Sequence, residues 1–272
     1  MSTEIDYTIM CPYYEANCDM TTCSCPKYKA YEAVQKPEAV ENKLTELGFD
    51  LNSGTWPLIM AIQLSFAKRL HKMENLTKDE VDHWVDKYLI CIEDEVREVR
   101  EHLRIYPEQL KDILNDTVKS NKKELQKEVI DILHFVMDLF LCGNANAEDI
   151  EKAYLKKYAP NVIDVKDLLA FAWDNQYEKT KREYEPRDID DIILLLVNKL
   201  LDANGGVRQQ ISWKHWKKPS NTIDYDKLYE AYADVFKILM DLFIFTMDNI
   251  DDVKNIYLTK NVENIYRQQF GY

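Results

Sequence analysis

The chain has 272 residues, 35 Lys and Arg against 48 Asp and Glu, a formal net charge of −13 and an apolar fraction of 46%. That length allows one large or two small domains with a sizeable core. The acidic balance speaks against broad contact with nucleic acid polymers or anionic membranes, but leaves room for a small phosphorylated ligand in a local cationic pocket.

Glycine (6) and proline (8) are sparse and helical periodicity is widespread, which points to an all-α helical bundle. No run of about 20 apolar residues occurs, and the opening MSTEIDYTIM lacks a basic flank and an apolar core. The expectation is no transmembrane span, no signal peptide and a cytoplasmic, reducing setting.

Residues 1–55 read as an N-terminal extension. Four cysteines crowd it, Cys11, Cys18, Cys23 and Cys25, in the spacing C-x6-C-x4-C-x-C. A structural Zn²⁺ site and free or mutually oxidised thiols are the two readings, and paired C-x2-C knuckles are absent. A helix over about 27–47 is expected to end at Gly48. Pro57 suits the first position of the next helix. That helix, 58–73, has Ile59, Ile62, Phe66 and Leu70 on one face and Gln63 as its odd polar member. Thr77 and Glu80 make a capping box for a helix that runs through Trp84 and Cys91 to about Leu103. A polar segment, 104–123, leads to a helix over 124–142 that carries Cys142 and stops at Gly143-Asn144. A short helix covers 147–158. Residues 161–187 read as a connecting helix and linker. A helix over 188–203 is expected to break at Asn204-Gly205-Gly206. The loop ISWKHWKKPSN and helices over 224–247 and 251–269 complete the chain.

The chain repeats itself. With Asp131 set on Asp234, an offset of 103, residues 129–161 align without gaps to 232–264, and MDLF recurs at 137–140 and 240–243. This predicts two tandem related units packed as a pseudo-dimer, 56–160 and 188–272.

The first unit holds the acids. Glu95 and Glu98 share a helix face, and Glu128 and Asp131 repeat their spacing in EVIDILHFVMDLF, a run apolar nearly all round apart from Asp138. Acids in such a run are costly unless something compensates their charge. Two helices side by side would gather the four carboxylates, and oxygen-only ligands favour Mg²⁺ or Mn²⁺. In the second unit Glu128 becomes Ala231, and the Glu95 region becomes Lys199. That unit holds cations, amides and tryptophans instead: Trp213, Lys214, Trp216, Lys217, Lys260, Asn261, Asn264, Arg267 and Gln268. A composite site, metal from one copy and phosphate grip from the other, would bind a metal–polyphosphate.

These residues resemble a known family. Glu95-x2-Glu98 with Glu128-x2-Asp131 is similar to the E-x2-E…E-x2-D signature of the all-α nucleoside triphosphate pyrophosphatases. CIEDEVREV, EVIDILHFVMDLF and YLTKNVENIYRQQFGY resemble the dimeric dUTPases and the T-even phage dCTPase-dUTPases within that group. The resemblance spans about 57–160 and 190–272. It implies Mg²⁺-dependent hydrolysis of a pyrimidine deoxynucleoside triphosphate, dUTP and/or dCTP, to the monophosphate and pyrophosphate. By position it implies metal binding by Glu95, Glu98, Glu128 and Asp131, with Glu95 or Glu98 as the base. It implies phosphate and sugar contacts from Lys260, Asn261, Asn264, Arg267 and Tyr272, and a base contact from Gln63. Trp84 either lines the same pocket or packs in the core. Two departures stand out. WKHWKK lies in the acid-poor copy rather than between the acid pairs, and Ala67 stands where relatives often carry a second amide. The base is therefore left open between uracil, cytosine and a modified pyrimidine. The alternative is a catalytically weakened nucleotide-sensing or partner-binding protein on the same scaffold, and a homodimer is an open arrangement for either.

Overall fold

The structure is a computed structural model that describes residues 26–71, 76–103, 115–214 and 222–269. The cysteines read as a zinc site, together with Trp216, Lys217 and Tyr272, lie outside the described residues. Among the described residues every regular element is helical. In chain order they are α1 (Pro26–Ala33), α2 (Pro37–Glu46), α3 (Thr55–His71), α4 (Lys78–His102), α5 (Asn115–Cys142), α6 (Ala147–Tyr158), α7 (Leu168–Tyr184), α8 (Ile189–Arg208), α9 (Tyr225–Thr246) and α10 (Ile250–Gln269). None of them is long and apolar enough to cross a membrane.

The chain divides into two compact units. The described parts of one are 26–52 and 255–269, and those of the other fall within 53–254. In the first, the single helix expected over 27–47 is two. Pro37 opens α2, and Lys36 before it is extended, with φ −110° and ψ 126°, because a residue preceding proline is driven out of the helical region. Val40 and Leu44 are buried on α2. Lys43 between them pairs with Glu46 at 3.1 Å and lies 5.5 Å from the centre of the Tyr266 ring.

In the second unit α5 and α9 are the central helices. α9 packs against α5, α6, α7 and α8, while α5 also packs against α3 and α4. Their sequences, VIDILHFVMDLF and VFKILMDLFIF, are apolar nearly all round, as a helix enclosed on every side requires. The two run antiparallel. Gln126 donates to the Thr246 carbonyl at 3.0 Å at one end, and the Tyr232 hydroxyl donates to the Leu139 carbonyl at 2.9 Å at the other. Aromatic rings close the layer: Phe140 meets Tyr232 at 4.9 Å, and Trp56 and Tyr154 meet Phe236 at 5.1 and 5.4 Å. Asp241, fully buried on α9, accepts from the Thr180 hydroxyl at 2.8 Å and pairs with Lys237, one turn earlier.

Helix ends show which local signals held. The Thr77 N–H donates to the Glu80 carboxylate at 2.8 Å, one half of the expected capping box, and the Thr77 hydroxyl donates to the same carboxylate at 2.7 Å. α3 begins at Thr55 rather than at Pro57. The cause is Asp167, whose carboxylate accepts from the N–H groups of Thr55 and, at 3.3 Å, Trp56. The same carboxylate caps α7, accepting from Leu169 N–H at 3.1 Å and Ala170 N–H at 3.5 Å. One anion thus satisfies the exposed donors of two helix starts.

α5 begins at Asn115, earlier than expected, and α8 runs through Asn204-Gly205-Gly206 to Arg208. The Arg208 guanidinium explains the continuation. It reaches Asp86 at 3.0 Å and Glu93 at 2.9 Å on α4, and Val207 beside it is buried. Tertiary contacts override the poor helix propensity of two glycines.

Candidate metal centre

The buried face of α4 is Val81, Val85, Tyr88, Leu89, Ile92, Val96 and Val99. Glu95 sits at the edge of that face, half-buried. α5 supplies Glu128 and Asp131 from neighbouring turns. One carboxylate oxygen from each of Glu95, Glu128 and Asp131 lies within 4.8 Å of the other two. The Glu128 and Asp131 side chains are only 17% and 23% exposed. Three acids this close and partly removed from water repel one another, and a hard divalent cation relieves the repulsion. The all-oxygen donor set fits Mg²⁺ or Mn²⁺.

Glu98, expected as a fourth ligand, is not in the group. Its side chain is 45% exposed and stands 3.5 Å from Arg97. Two imidazoles that the sequence reading did not assign flank the acids. His102 Nε2 is 3.7 Å from Glu128, and His134 Nδ1 is 3.8 Å from Asp131. His134 Nδ1 also lies 2.9 Å from the Ile130 carbonyl. A carbonyl only accepts, so that nitrogen carries the hydrogen and the ring is fixed in place. The available signal for His134 was its position three residues after Asp131 on the same face.

A polar and aromatic strip leads away from the acids. Cys91, one turn before Glu95, has its thiol pushed up chiefly by burial and then by Asp94, Glu95 and Asp138. Tyr88 meets Phe135 at 6.2 Å, and its phenol is pushed up by burial and then by Asp138. Trp84 stacks on Tyr88 at 6.1 Å with the Lys87 ammonium 4.8 Å from its ring centre. Moving backward along α4 therefore means moving forward along α5. The strip ends at Asp138 and Gln63, both buried, where Gln63 Nε2 donates to Asp138 Oδ1 at 2.8 Å.

No protein family, curated protein or solved structure matches this chain. What the site can do follows from its own groups.

The remaining expected residues are distributed as follows. Trp213 and Lys214 follow α8, where Ser212 N–H donates to Asp82 on α4 at 3.0 Å. Asp82 is 13 residues from Glu95, about 20 Å along the helix axis, so this segment is not drawn up to the triad. The Arg208 guanidinium and the Lys214 ammonium lie 5.9 and 5.0 Å from the Trp213 ring centre. Lys260, Asn261, Asn264 and Arg267 lie on α10 in the other unit. There Asn261 is buried, with its amide donating to the Tyr257 carbonyl at 3.2 Å, and Arg267 reaches Asn264 at 3.4 Å.

Burial pushes Asp138 from the ordinary carboxylate range up to about 7, against the opposing effect of the Gln63 hydrogen bond. Between about pH 4 and that value the folded chain keeps a proton that the unfolded chain has lost, so stability falls as pH rises through this window. The loss is on the order of 4 kcal/mol at full ionisation. Thermal melting at pH 5 and pH 8 should show a larger drop for the native chain than for Asp138→Asn. Equal drops would mean that Asp138 titrates normally.

Proposed function

We propose that the chain is a divalent-cation-dependent nucleoside triphosphate pyrophosphohydrolase. Its substrate on this reading is a pyrimidine deoxynucleotide, dCTP and/or dUTP, cleaved to the monophosphate and pyrophosphate. The observation that carries the reading is the convergence of Glu95, Glu128 and Asp131 from two facing helices at the half-buried edge of an apolar layer. An isolated bundle has no physical need for acids there. Mg²⁺ held by these three would screen phosphate oxygens and acidify a bound water. Glu98 stands one turn from Glu95, outside the ligand group and accessible to solvent, which suits it to take the proton from the attacking water.

The same reading takes the chain as two copies of one helical unit. Asp138 and Asp241 fall at equivalent places in the ungapped repeat, and both are buried. Gln63 and Gln176 each stand ninth in their helices, α3 and α7, and both are buried as well.

The test is pyrophosphate release with Mg²⁺ across dUTP, dCTP, dTTP, dATP, dGTP and UTP. Release confined to one or two pyrimidine deoxynucleotides is the expected result. A folded, Mg²⁺-loaded protein that releases pyrophosphate from none of the six would sink the proposal.

A further inference from the structure

This inference rests on the proposed hydrolysis and concerns the base. The second unit buries two aspartates at corresponding places on α5 and α9, and treats them differently. Asp241 has the Lys237 ammonium and the Thr180 hydroxyl. For Asp138, among the described residues, the hydrogen-bond partner is the neutral Gln63 amide, and no cation pairs with it. A buried carboxylate without a cation costs stability. It also keeps most of its lone pairs available, because one amide hydrogen occupies only one of them.

Its position adds a second, independent constraint. Asp138 follows Asp131 by seven residues, about 10 Å along the axis of α5. That is the span from a nucleotide's phosphate to the far edge of its base. The Tyr88 and Trp84 rings stand on α4 along the same strip, and an aromatic lining of this kind suits a planar heterocycle.

We propose that Asp138, held in place by Gln63, selects the base by accepting a hydrogen bond from an exocyclic amino group, so that the preferred substrate is a 4-aminopyrimidine deoxynucleoside triphosphate. A carboxylate accepting from N4 is the natural pairing for cytosine. Uracil presents a carbonyl oxygen at the same place. Two acceptors facing each other out of water are both desolvated and unpaired, which is the kind of mismatch that gives strong rejection.

The experiment compares kcat/KM for dCTP and dUTP, with Mg²⁺ and at pH 8, where the Asp138 carboxyl is mostly ionised and can only accept, in the native chain and in Asp138→Asn. The native chain should prefer dCTP by roughly 100-fold or more. Asp138→Asn carries an amide that can donate to O4, and its preference should shrink to within about tenfold or reverse. Asp138→Ser, too short to reach the amino group, should lose the preference as well, and it stands in should the asparagine variant fail to fold. A merely structural role would lower both rates together and leave their ratio alone. A native preference for dUTP, or a ratio unchanged in the variants, overturns this inference and leaves the hydrolysis standing. A folded native chain that hydrolyses neither nucleotide overturns both.

Discussion

Glu128→Gln is expected to cut cation-dependent turnover by at least roughly 100-fold while leaving the cation-free protein as stable as before, or more so. The loss follows from its place in the triad, where its oxygen is one of three within 4.8 Å. An amide keeps the shape and gives up the charge, which on the proposed reading weakens the hold on the cation that would screen the phosphates; single electrostatic contacts to developing charge are worth roughly 10²–10³ in rate. The gain in stability has the opposite origin. Glu128 is largely buried beside two other acids, so neutralising it relieves like-charge repulsion. Turnover and thermal melting, both with and without Mg²⁺, separate the two effects. Glu98→Gln is the contrast, because a solvent-facing base outside the ligand group should slow turnover yet leave Mn²⁺ binding intact. A Glu128→Gln protein that turns over normally would remove the metal centre from the proposal.

Gly143→Ala should destabilise the chain by roughly 3–5 kcal/mol, combining overpacking with a lost buried hydrogen bond. The two glycine-turn residues after α5 divide the work in an unexpected way. Asn144, at φ 59°, takes the left-handed position. The N–H groups of Asn144 and Ala145 return to Leu141 and Phe140, each at 3.0 Å, in a Schellman arrangement. Gly143 is needed for a different reason. A Cβ there would stand 2.7 and 2.8 Å from Cε2 and Cζ of Tyr232, and closer still to its hydroxyl. The ring cannot retreat, because it is fully buried against Phe140 and its hydroxyl is committed to the Leu139 carbonyl. The melting temperature should fall by about 10 °C or more. In a double-mutant cycle with Tyr232→Phe the two costs should be less than additive, since the phenylalanine has already given up the oxygen that clashes most. A Gly143→Ala protein that melts with the native one would mean that the ring has room to move.

How far the sequence reached differs from element to element. The helices were legible because apolar periodicity is a local property, and the Thr77–Glu80 box is closed within four residues. Glu128 and Asp131 were legible because acids in an apolar run have no ordinary reason to be there. Glu98 was placed with them because a spacing of three puts it on the face of Glu95. Spacing alone cannot say how far that face is turned toward α5, and the turn leaves Glu98 at the solvent edge. The continuation of α8 depends on Arg208 meeting Asp86 and Glu93 more than a hundred residues earlier, and no local propensity records that. Asp138 was visible as an acid, but its partner Gln63 lies 75 residues away. The resemblance offered Gln63 as a base contact, and in the structure one of its amide hydrogens goes to Asp138.

Asp167 gives α3 and α7 a common origin. α3 starts on its carboxylate and reaches Gln63 about 12 Å later, and α7 starts on the same carboxylate and reaches Thr180 after about 18 Å. Gln63 holds Asp138 and Thr180 holds Asp241. Two helical levers therefore share one pivot, and each ends on a buried aspartate, one on α5 and the other on α9. The two buried aspartates are thereby both tied to one carboxylate that touches neither of them.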